Sequence, residues 1–258
     1  MFVDSHCHLD DEKLKGDLDN VVAEFKAAGV GIVIDIGCDA NTSEIVKTQA
    51  ENYDGVYFAA GIHPMDVKDA ANSDLDKIKE LAKHPKCVAV GEIGLDYYWD
   101  TTFKEKQKEF FIKQIDLAYN LNLPINIHIR DAMGDAVEIL KANADKLKFG
   151  GVMHCYSGSA ETAKELIKLG LYISFGGTLT FKNARKTQEV AKLVPIDRIL
   201  TETDSPYLAP EPKRGTVNSP KNIPLVVKKL SELRGESPQE IETAVYNNTL
   251  KLFKKINV

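Results

Sequence analysis

The sequence predicts an α/β protein with the TIM (β/α)8 barrel fold, and three observations lead to this prediction. Eight short apolar runs alternate with helical stretches within 258 residues, which is the usual size of one such barrel. Most runs are nearly continuous in apolar residues, as expected for parallel strands covered on both faces. A doubly wound open sheet is the alternative, but no G-x-G-x-x-G motif follows the first run. We therefore expect a single barrel domain over residues 1–258.

The individual elements follow from the apolar pattern. The eight predicted strands cover residues 1–5, 31–36, 56–61, 87–92, 125–129, 149–154, 171–175 and 198–203. Amphipathic segments between them carry apolar residues at helical spacing. The clearest of these segments cover residues 17–28, 102–121, 160–169 and 182–193. A last helix is predicted to begin at Ser237-Pro238-Gln239-Glu240, because this is a capping box with proline at the first helical position.

Composition restricts the possible class of protein. The net charge of −5 argues against a general nucleic-acid coat protein, although it is compatible with a local basic patch. No apolar run approaches the ~18 residues of a membrane helix, and the N-terminus has no basic signal region. The four cysteines are scattered and form no C-x-x-C pair, which is typical of reduced, buried thiols. We expect a cytoplasmic protein without a membrane partner, and we favour a monomer.

Histidines and carboxylates concentrate at the C-terminal ends of the predicted strands. In a barrel these ends meet at one mouth, where the chemistry of such enzymes takes place. Five of the six histidines and two carboxylates fall there: His6, His8, His63, His128, His154, Glu92 and Asp204. Each residue has a simple structural explanation by itself, but their common position predicts one functional site.

This set of side chains predicts a metal-dependent hydrolase with two ions. Imidazole and carboxylate ligands suit Zn²⁺, Mn²⁺ or Fe²⁺, whereas Mg²⁺ prefers oxygen. Two ions ~3.5–4 Å apart can share a bridging carboxylate and a bridging water, and we assign the bridge to Glu92. The other predicted ligands are His6, His8 and Asp204 for one ion, and His128 and His154 for the second.

Two further carboxylates and one catalytic role follow from strand parity. Asp204 is the expected acceptor of the proton from the metal-bound water. Glu202 lies on the same strand face, inside the barrel, and is expected to orient a histidine ligand. Asp4 has the same parity as His6 and has two interpretations of equal weight, a polar residue at a strand start or a group behind a histidine ligand.

The ordered series of motifs resembles the TatD family of metal-dependent deoxyribonucleases, within the amidohydrolase-like metal barrels. The matching segments are Asp4-Ser5-His6-Cys7-His8-Leu9, Gly61-Ile62-His63-Pro64, Gly91-Glu92-Ile93-Gly94-Leu95-Asp96-Tyr97, His128-Ile129-Arg130-Asp131-Ala132, His154-Cys155-Tyr156-Ser157-Gly158 and Thr201-Glu202-Thr203-Asp204-Ser205-Pro206. The resemblance implies two divalent ions (Mg²⁺, Mn²⁺ or Zn²⁺) on the six ligands above. It also implies hydrolysis of DNA phosphodiester bonds, often as a 3′–5′ exonuclease, here on single-stranded or frayed ends.

Several residues near the mouth are expected to contact the substrate. His63 can donate a hydrogen bond to a phosphate, or can simply precede the turn at Pro64. Arg130 can bind a phosphate with two hydrogen bonds or pair with a carboxylate at the rim. Tyr156 can stack on a base or pack in the core. The basic residues in the loops after strands seven and eight form a possible phosphate track, and the main candidates are Lys182, Arg185 and Arg214.

Two other classes of function remain open. A hydrolase of another ester or amide, such as a lactone, a phosphotriester or an aminoacyl-tRNA ester, would use the same activated water on a different substrate. A metal-binding protein without catalysis is the other class, and the intact ligand set argues against it.

Overall fold

A computed structural model describes residues 1–257 and confirms the predicted barrel. Eight strands form one sheet in the order of the chain, and every neighbouring pair from the first to the eighth is parallel. The strands are β1 (Phe2–Cys7), β2 (Val30–Ile36), β3 (Val56–Ala60), β4 (Cys87–Asp96), β5 (Ile125–Arg130), β6 (Gly151–Met153), β7 (Leu171–Phe175) and β8 (Ile199–Thr201).

Helices cover the outside of the sheet. They are α1 (Leu18–Ala27), α2 (Ala40–Asn52), α3 (Asn72–Leu81), α4 (Lys104–Leu121), α5 (Met133–Ala142), α6 (Ala160–Lys168), α7 (Arg185–Leu193), α8 (Ile223–Arg234) and α9 (Pro238–Leu252). The capping box predicted for the last helix is present, since Ser237 Oγ accepts from the Glu240 amide at 3.2 Å and Glu240 Oε2 accepts from the Ser237 amide at 2.7 Å. No helix within residues 1–257 is both long and apolar enough to cross a membrane.

Apolar side chains between the sheet and the helices form the core. Most strand residues are buried, and Phe25, Phe58 and Phe111 have no exposed surface at all. Burial of large aromatic and aliphatic side chains is the main stabilising contribution in a domain of this size. A close-packed core holds the strand ends in fixed relative positions, so the side chains of the site are also held in place.

The seam between β1 and β8 is closed differently from the other strand pairs. At the mouth, the Asp204 amide donates to His6 O at 2.9 Å and the His8 amide donates to Ser205 O at 2.8 Å. Deeper in the barrel, the buried carboxylate of Asp4 accepts from the Thr203 amide at 2.9 Å and from the Thr203 hydroxyl at 2.5 Å. It also accepts from the His6 amide at 3.2 Å. Asp4 therefore joins the first strand to the chain after the last one and contacts no histidine ring.

We expect Asp4→Ala to lower the free energy of unfolding by about 2 kcal/mol or more, because it leaves the buried amides of Thr203 and His6 without an acceptor at ~1–3 kcal/mol each. The Thr203 hydroxyl can still donate to Ser205 Oγ, which lies 3.0 Å away. Asp4→Asn keeps one acceptor oxygen and should lose less than half as much. Urea unfolding followed by circular dichroism in EDTA measures both changes without a contribution from metal binding. Equal stability of Asp4→Ala and the unmodified protein would show that the seam does not depend on this carboxylate.

Candidate metal centre

A cavity of about 320 Å³ opens at the C-terminal mouth of the barrel. Its walls include most of the predicted ligands together with residues that the sequence did not single out. The lining residues are His8, Asp10, Asp11, Cys38, His63, Glu92, His128, His154, Asp204 and Tyr207. His6 lies directly behind this wall without exposed surface, and its ring stacks on that of His154 with the centroids 3.8 Å apart.

Glu92 lies at the centre of the site, and its two oxygens face different imidazoles. Oε2 is 3.4 Å from His6 Nε2 and 3.8 Å from His8 Nε2. Oε1 is 2.8 Å from His128 Nδ1 and 3.2 Å from His154 Nε2. Donor atoms that share one ion at about 2.1 Å are themselves roughly 3–3.5 Å apart, so both groups have the spacing of a ligand set.

Asp204 lies on the Oε2 side of Glu92. Its Oδ1 is 3.5 Å from His8 Nε2 and 3.8 Å from His6 Nε2, so these three residues surround one position. Asp204 has a φ of 55°, in the left-handed region that aspartate tolerates better than most residues. The Asp204 amide donates a hydrogen bond to His6 O, and this backbone conformation directs the Asp204 carboxylate toward His6 and His8.

Each of the four ligand histidines has an acceptor near the nitrogen that faces away from Glu92. The pairs are His6 Nδ1 with Asn126 Oδ1 at 3.1 Å, His8 Nδ1 with Ile36 O at 3.2 Å, His128 Nε2 with Asp96 Oδ2 at 3.2 Å, and His154 Nδ1 with Glu202 Oε1 at 3.3 Å. An acceptor behind the ring holds the proton on the outer nitrogen and leaves the inner nitrogen with a free lone pair. All four imidazoles are therefore oriented to bind a cation beside Glu92.

Glu202 is one of these outer acceptors. Its side chain has no exposed surface, and Oε1 also accepts from the Cys155 amide at 2.6 Å. The structure thus places Glu202 behind His154, which is the position expected from strand parity. It lies behind a ligand and outside the cavity lining, so a direct part in proton transfer is not suggested by its position.

The charges of the site also fit divalent cations. Burial alone would raise the pKa of Glu92, but the imidazoles of His6, His154 and His63 hold it well below its usual range. Burial lowers the pKa of His154, yet Glu202 and Glu92 outweigh this effect and raise it well above its ordinary value. The carboxylate of Glu92 therefore stays ionised and attracts positive charge. A divalent ion can supply that charge in exchange for protons on the imidazoles.

His63 differs from the other histidines. Its Nδ1 accepts a hydrogen bond from the Met65 amide at 3.1 Å, so the ring proton is on Nε2, 3.8 Å from Glu92 Oε1. Burial lowers the pKa of His63 to about 3, which keeps the ring neutral. One donor atom each of His63, Glu92 and His128 lies within 4.8 Å of the others. However, His63 presents an N–H group to the cavity, and this suits a substrate oxygen better than a metal ion.

Close contact between β4 and β5 brings Glu92 to His128. Gly94 has a φ of 144°, and a Cβ atom at this position would lie 2.0 Å from His128 O. Only glycine permits this approach, which explains why the strand-four motif has glycine between its two acidic residues. The same approach lets Asp96 reach the outer nitrogen of His128.

The expected substrate residues fall into two groups. Arg130 is exposed at the end of β5, Lys182 and Arg214 are exposed in the loops after β7 and β8, and Arg185 is exposed at the first position of α7. These loops contact each other, since the Glu211 amide donates to Thr180 Oγ1 at 2.8 Å. The stacking role suggested for Tyr156 is wrong for this structure, because the side chain is only 3% exposed and its hydroxyl donates to Ser159 O at 2.8 Å.

Sequence reasoning did not assign several residues of the site. Asp96 belongs to the strand-four motif and, by strand alternation, shares a face with Glu92 and Gly94. This parity could have indicated that its carboxylate lies in the site. Asn126 precedes His128 by two residues on the same strand face. Cys38 follows the end of β2, and no histidine lies in or near that strand in the sequence to indicate a metal site.

Comparisons with known proteins agree with this geometry. The sequence model of the family described as "TatD related DNase" matches residues 3–254. The chain is 45% identical to the Bacillus subtilis (strain 168) metal-dependent hydrolase YabD, over 98% of this chain and 99% of that protein. It is 39% identical to YcfH of Escherichia coli (strain K12), over 97% and 95% of the two chains.

The solved structure of the TatD homologue YjjV from Escherichia coli K12 superposes with a TM-score of 0.93. It is 35% identical in sequence, and the match covers 98% of each chain. Both relatives above are described as uncharacterized metal-dependent hydrolases. With its barrel, its histidine and carboxylate donors and these matches, the chain belongs to the TatD family of metal-dependent hydrolases.

Proposed function

We propose that the protein is a deoxyribonuclease that hydrolyses phosphodiester bonds with the help of two divalent metal ions. The substrate is single-stranded or frayed DNA, degraded from the 3′ end. The observation that carries the proposal is the arrangement around Glu92, whose two oxygens face two separate pairs of imidazoles. One shared carboxylate between two ligand sets is the arrangement that a pair of ions requires.

The residues of the site have distinct roles in this proposal. His6, His8 and Asp204 would hold one ion and His128 and His154 the other, and Glu92, which lies between the two sets, would be a ligand to both. When bound, Mg²⁺, Mn²⁺ or Zn²⁺ supplies an activated water and neutralises charge on the phosphodiester. Asp204 accepts the proton of the attacking water, because its carboxylate is ionised and borders the cavity. His63 donates its Nε2–H to a phosphate oxygen.

The distribution of charge around the mouth supports a polyanionic substrate. The loops after β1 to β3 are acidic near the site: Asp10 and Asp11 line the cavity, Asp39 directly follows the lining residue Cys38, and Asp66 Oδ2 lies 4.0 Å from His63 Nδ1. The last residue of β5 and the segments after β7 and β8 carry exposed basic residues, namely Arg130, Lys182, Arg185 and Arg214. Such a gradient favours entry of a phosphate chain from the basic side. The cavity of about 320 Å³ is at the small end for a ligand site and admits a strand end more readily than a duplex.

Hydrolysis of another ester or amide is the competing proposal, since an activated water can equally attack a carbonyl. The deciding experiment incubates the metal-loaded protein with a fluorescent single-stranded oligonucleotide, an aryl ester and a lactone. Shortening of the oligonucleotide from its 3′ end, with slow turnover of the other two substrates, supports the nuclease. Preferred turnover of the lactone or the ester, with an intact oligonucleotide, would replace it.

We expect EDTA to abolish hydrolysis and added Mn²⁺ or Mg²⁺ to restore it. Glu92→Gln removes the bridging charge while preserving shape, so both metal content and rate should fall by at least an order of magnitude. Metal content measured by mass spectrometry alongside the rate checks this expectation, and circular dichroism confirms an intact fold. Full activity in chelator would contradict a metal mechanism of any kind.

We expect Asp204→Asn to retain much of the metal while losing most of the rate. The amide can still offer an oxygen ligand but cannot accept a proton, and general-base catalysis contributes typically ~10²–10⁴-fold. The measurement is kcat at saturating metal, with calorimetry to establish metal affinity. If the variant turns over at nearly the original rate, another group accepts the proton.

We expect Arg185→Ala to weaken DNA binding and to make it less sensitive to salt. Each lost phosphate contact on a single strand should flatten the slope of log affinity against log salt by about 0.7. Lys182→Ala and Arg214→Ala should behave alike. Lys192→Ala is the matched control, because Lys192 is exposed in the last turn of the same helix, α7, away from the mouth. Identical slopes in all variants would remove these side chains from the DNA site.

A further inference from the structure

Two aromatic side chains are exposed next to each other at the catalytic mouth. Tyr98 and Trp99 lie just after β4, separated from its last residue by Tyr97, and are 52% and 65% exposed. Trp99 is the most exposed large hydrophobic residue within residues 1–257. Their rings are in edge-to-face contact, with the centroids 4.7 Å apart and an interplanar angle of 89°. Adjacent exposed aromatic rings beside a reaction site are typical of a binding surface.

This aromatic pair is held close to the metal centre by one carboxylate. Asp96 Oδ2 lies 3.2 Å from His128 Nε2, and Asp96 Oδ1 accepts from the Tyr98 amide at 2.9 Å. The Tyr97 amide also donates to Arg130 O at 2.9 Å, which fastens the segment to β5. The two rings are therefore in a defined position relative to a proposed metal ligand, although they are exposed.

Arg130 completes the surface. Its guanidinium lies 3.7 Å from the centroid of the Tyr98 ring and 5.3 Å from that of Trp99, as in a cation–π contact. None of the ion pairs formed within residues 1–257 includes Arg130, so its N–H groups are free to bind an anion. The alternative that Arg130 pairs with a carboxylate at the rim is thereby disfavoured.

We propose that Tyr98, Trp99 and Arg130 form a stacking platform for one unpaired nucleobase of the substrate strand. This inference rests on the proposed function and adds to it, because it assigns the part of the protein that recognises a base. Aromatic rings and arginine planes accept any base face, so the platform selects unpaired over paired nucleotides and is tolerant of sequence. Arg130 also contacts the phosphate next to the stacked base, and this brings the neighbouring phosphodiester toward the metal ions.

The test uses Trp99 as its own reporter, because it is the single tryptophan of the chain. The metal-loaded Asp204→Asn protein is titrated with a thymidine hexanucleotide and with an abasic hexamer that carries the same number of phosphates. We expect saturable quenching of tryptophan fluorescence by the thymidine hexamer and none by the abasic one. The abasic hexamer should bind between about 5-fold and about 150-fold more weakly, the range for loss of one base–aromatic stack.

Substitutions identify the platform as the source of this difference. Tyr98→Ala and Trp99→Ala should bind both hexamers with similar affinity, measured by anisotropy of a labelled hexamer, and Trp99→Phe should recover most of the preference for bases. Tyr119→Ala is the matched control, because Tyr119 is also exposed, at 40%, but lies near the end of α4 away from the mouth. It should bind like the parent protein.

The outcomes separate the platform from the nuclease. Equal affinity and equal quenching for both hexamers would overturn the platform, even if the protein cleaves DNA. Quenching that follows protein concentration and ignores the oligonucleotide would also overturn it, and would point to self-association. Base-dependent quenching in a protein that cleaves no DNA would support the platform while removing the proposed nuclease activity.

Discussion

The buried carboxylate of Glu92 is the group around which the site is organised. Its oxygens lie 2.8 to 3.8 Å from nitrogens of five imidazoles, and no apolar environment could hold this charge without them. An ionised group in a barrel interior is unfavourable unless opposite charge or hydrogen bonds compensate it. The compensating imidazoles lie at or just beyond the C-terminal ends of β1, β3, β5 and β6. The single carboxylate of Glu92 therefore constrains the relative positions of several strands. Cations at the same place satisfy that requirement more fully than shared protons do.

The hydrogen-bond partners on the outer side of each imidazole ring divide the histidines by role. Four of them have an acceptor behind the outer nitrogen, and these four are the proposed ligands. The fifth, His63, instead accepts a hydrogen bond from the Met65 amide at Nδ1. Its ring therefore presents an N–H group to the cavity, where the other four present a lone pair. Two imidazoles at similar distances from Glu92 can thus have opposite functions. The function of each ring depends on whether its outer nitrogen accepts from a backbone amide or donates to an oxygen acceptor.

Much of the site was predictable because parallel strands bring their C-terminal ends to one place. That rule predicts from the sequence alone that His6, Glu92, His128 and His154 lie close together. It could not identify Ile36 O as the partner of His8, because a backbone carbonyl leaves no trace in residue identity. The same rule suggested that Tyr156 could stack on a base at the mouth. The chain instead turns at Cys155, which has a φ of 42°, and the Tyr156 ring is buried in the core.

The exposed pair Tyr98 and Trp99 escaped prediction for a related reason. These residues lie in a loop, where neither helical nor strand periodicity applies, and their significance depends on the neighbouring strand β5 that supplies Arg130. Strand ends show a similar limit. β6 and β8 end at Met153 and Thr201, shortly before the left-handed residues Cys155 and Asp204, and residue identity alone does not predict such conformations.

The seam between the two ends of the chain has a consequence for biosynthesis. Asp4 and Thr203, which meet there, are 199 residues apart in sequence, and the proposed ligands His6 and Asp204 lie beside them. His6 is synthesised early, but the binding site is incomplete until the last strand and Asp204 have also been synthesised. A nascent chain therefore has no finished centre until most of the barrel has been synthesised. Contacts of such high sequence separation form late, so an ion held between these two ends would act as a clasp on the closed barrel and would report that folding is complete.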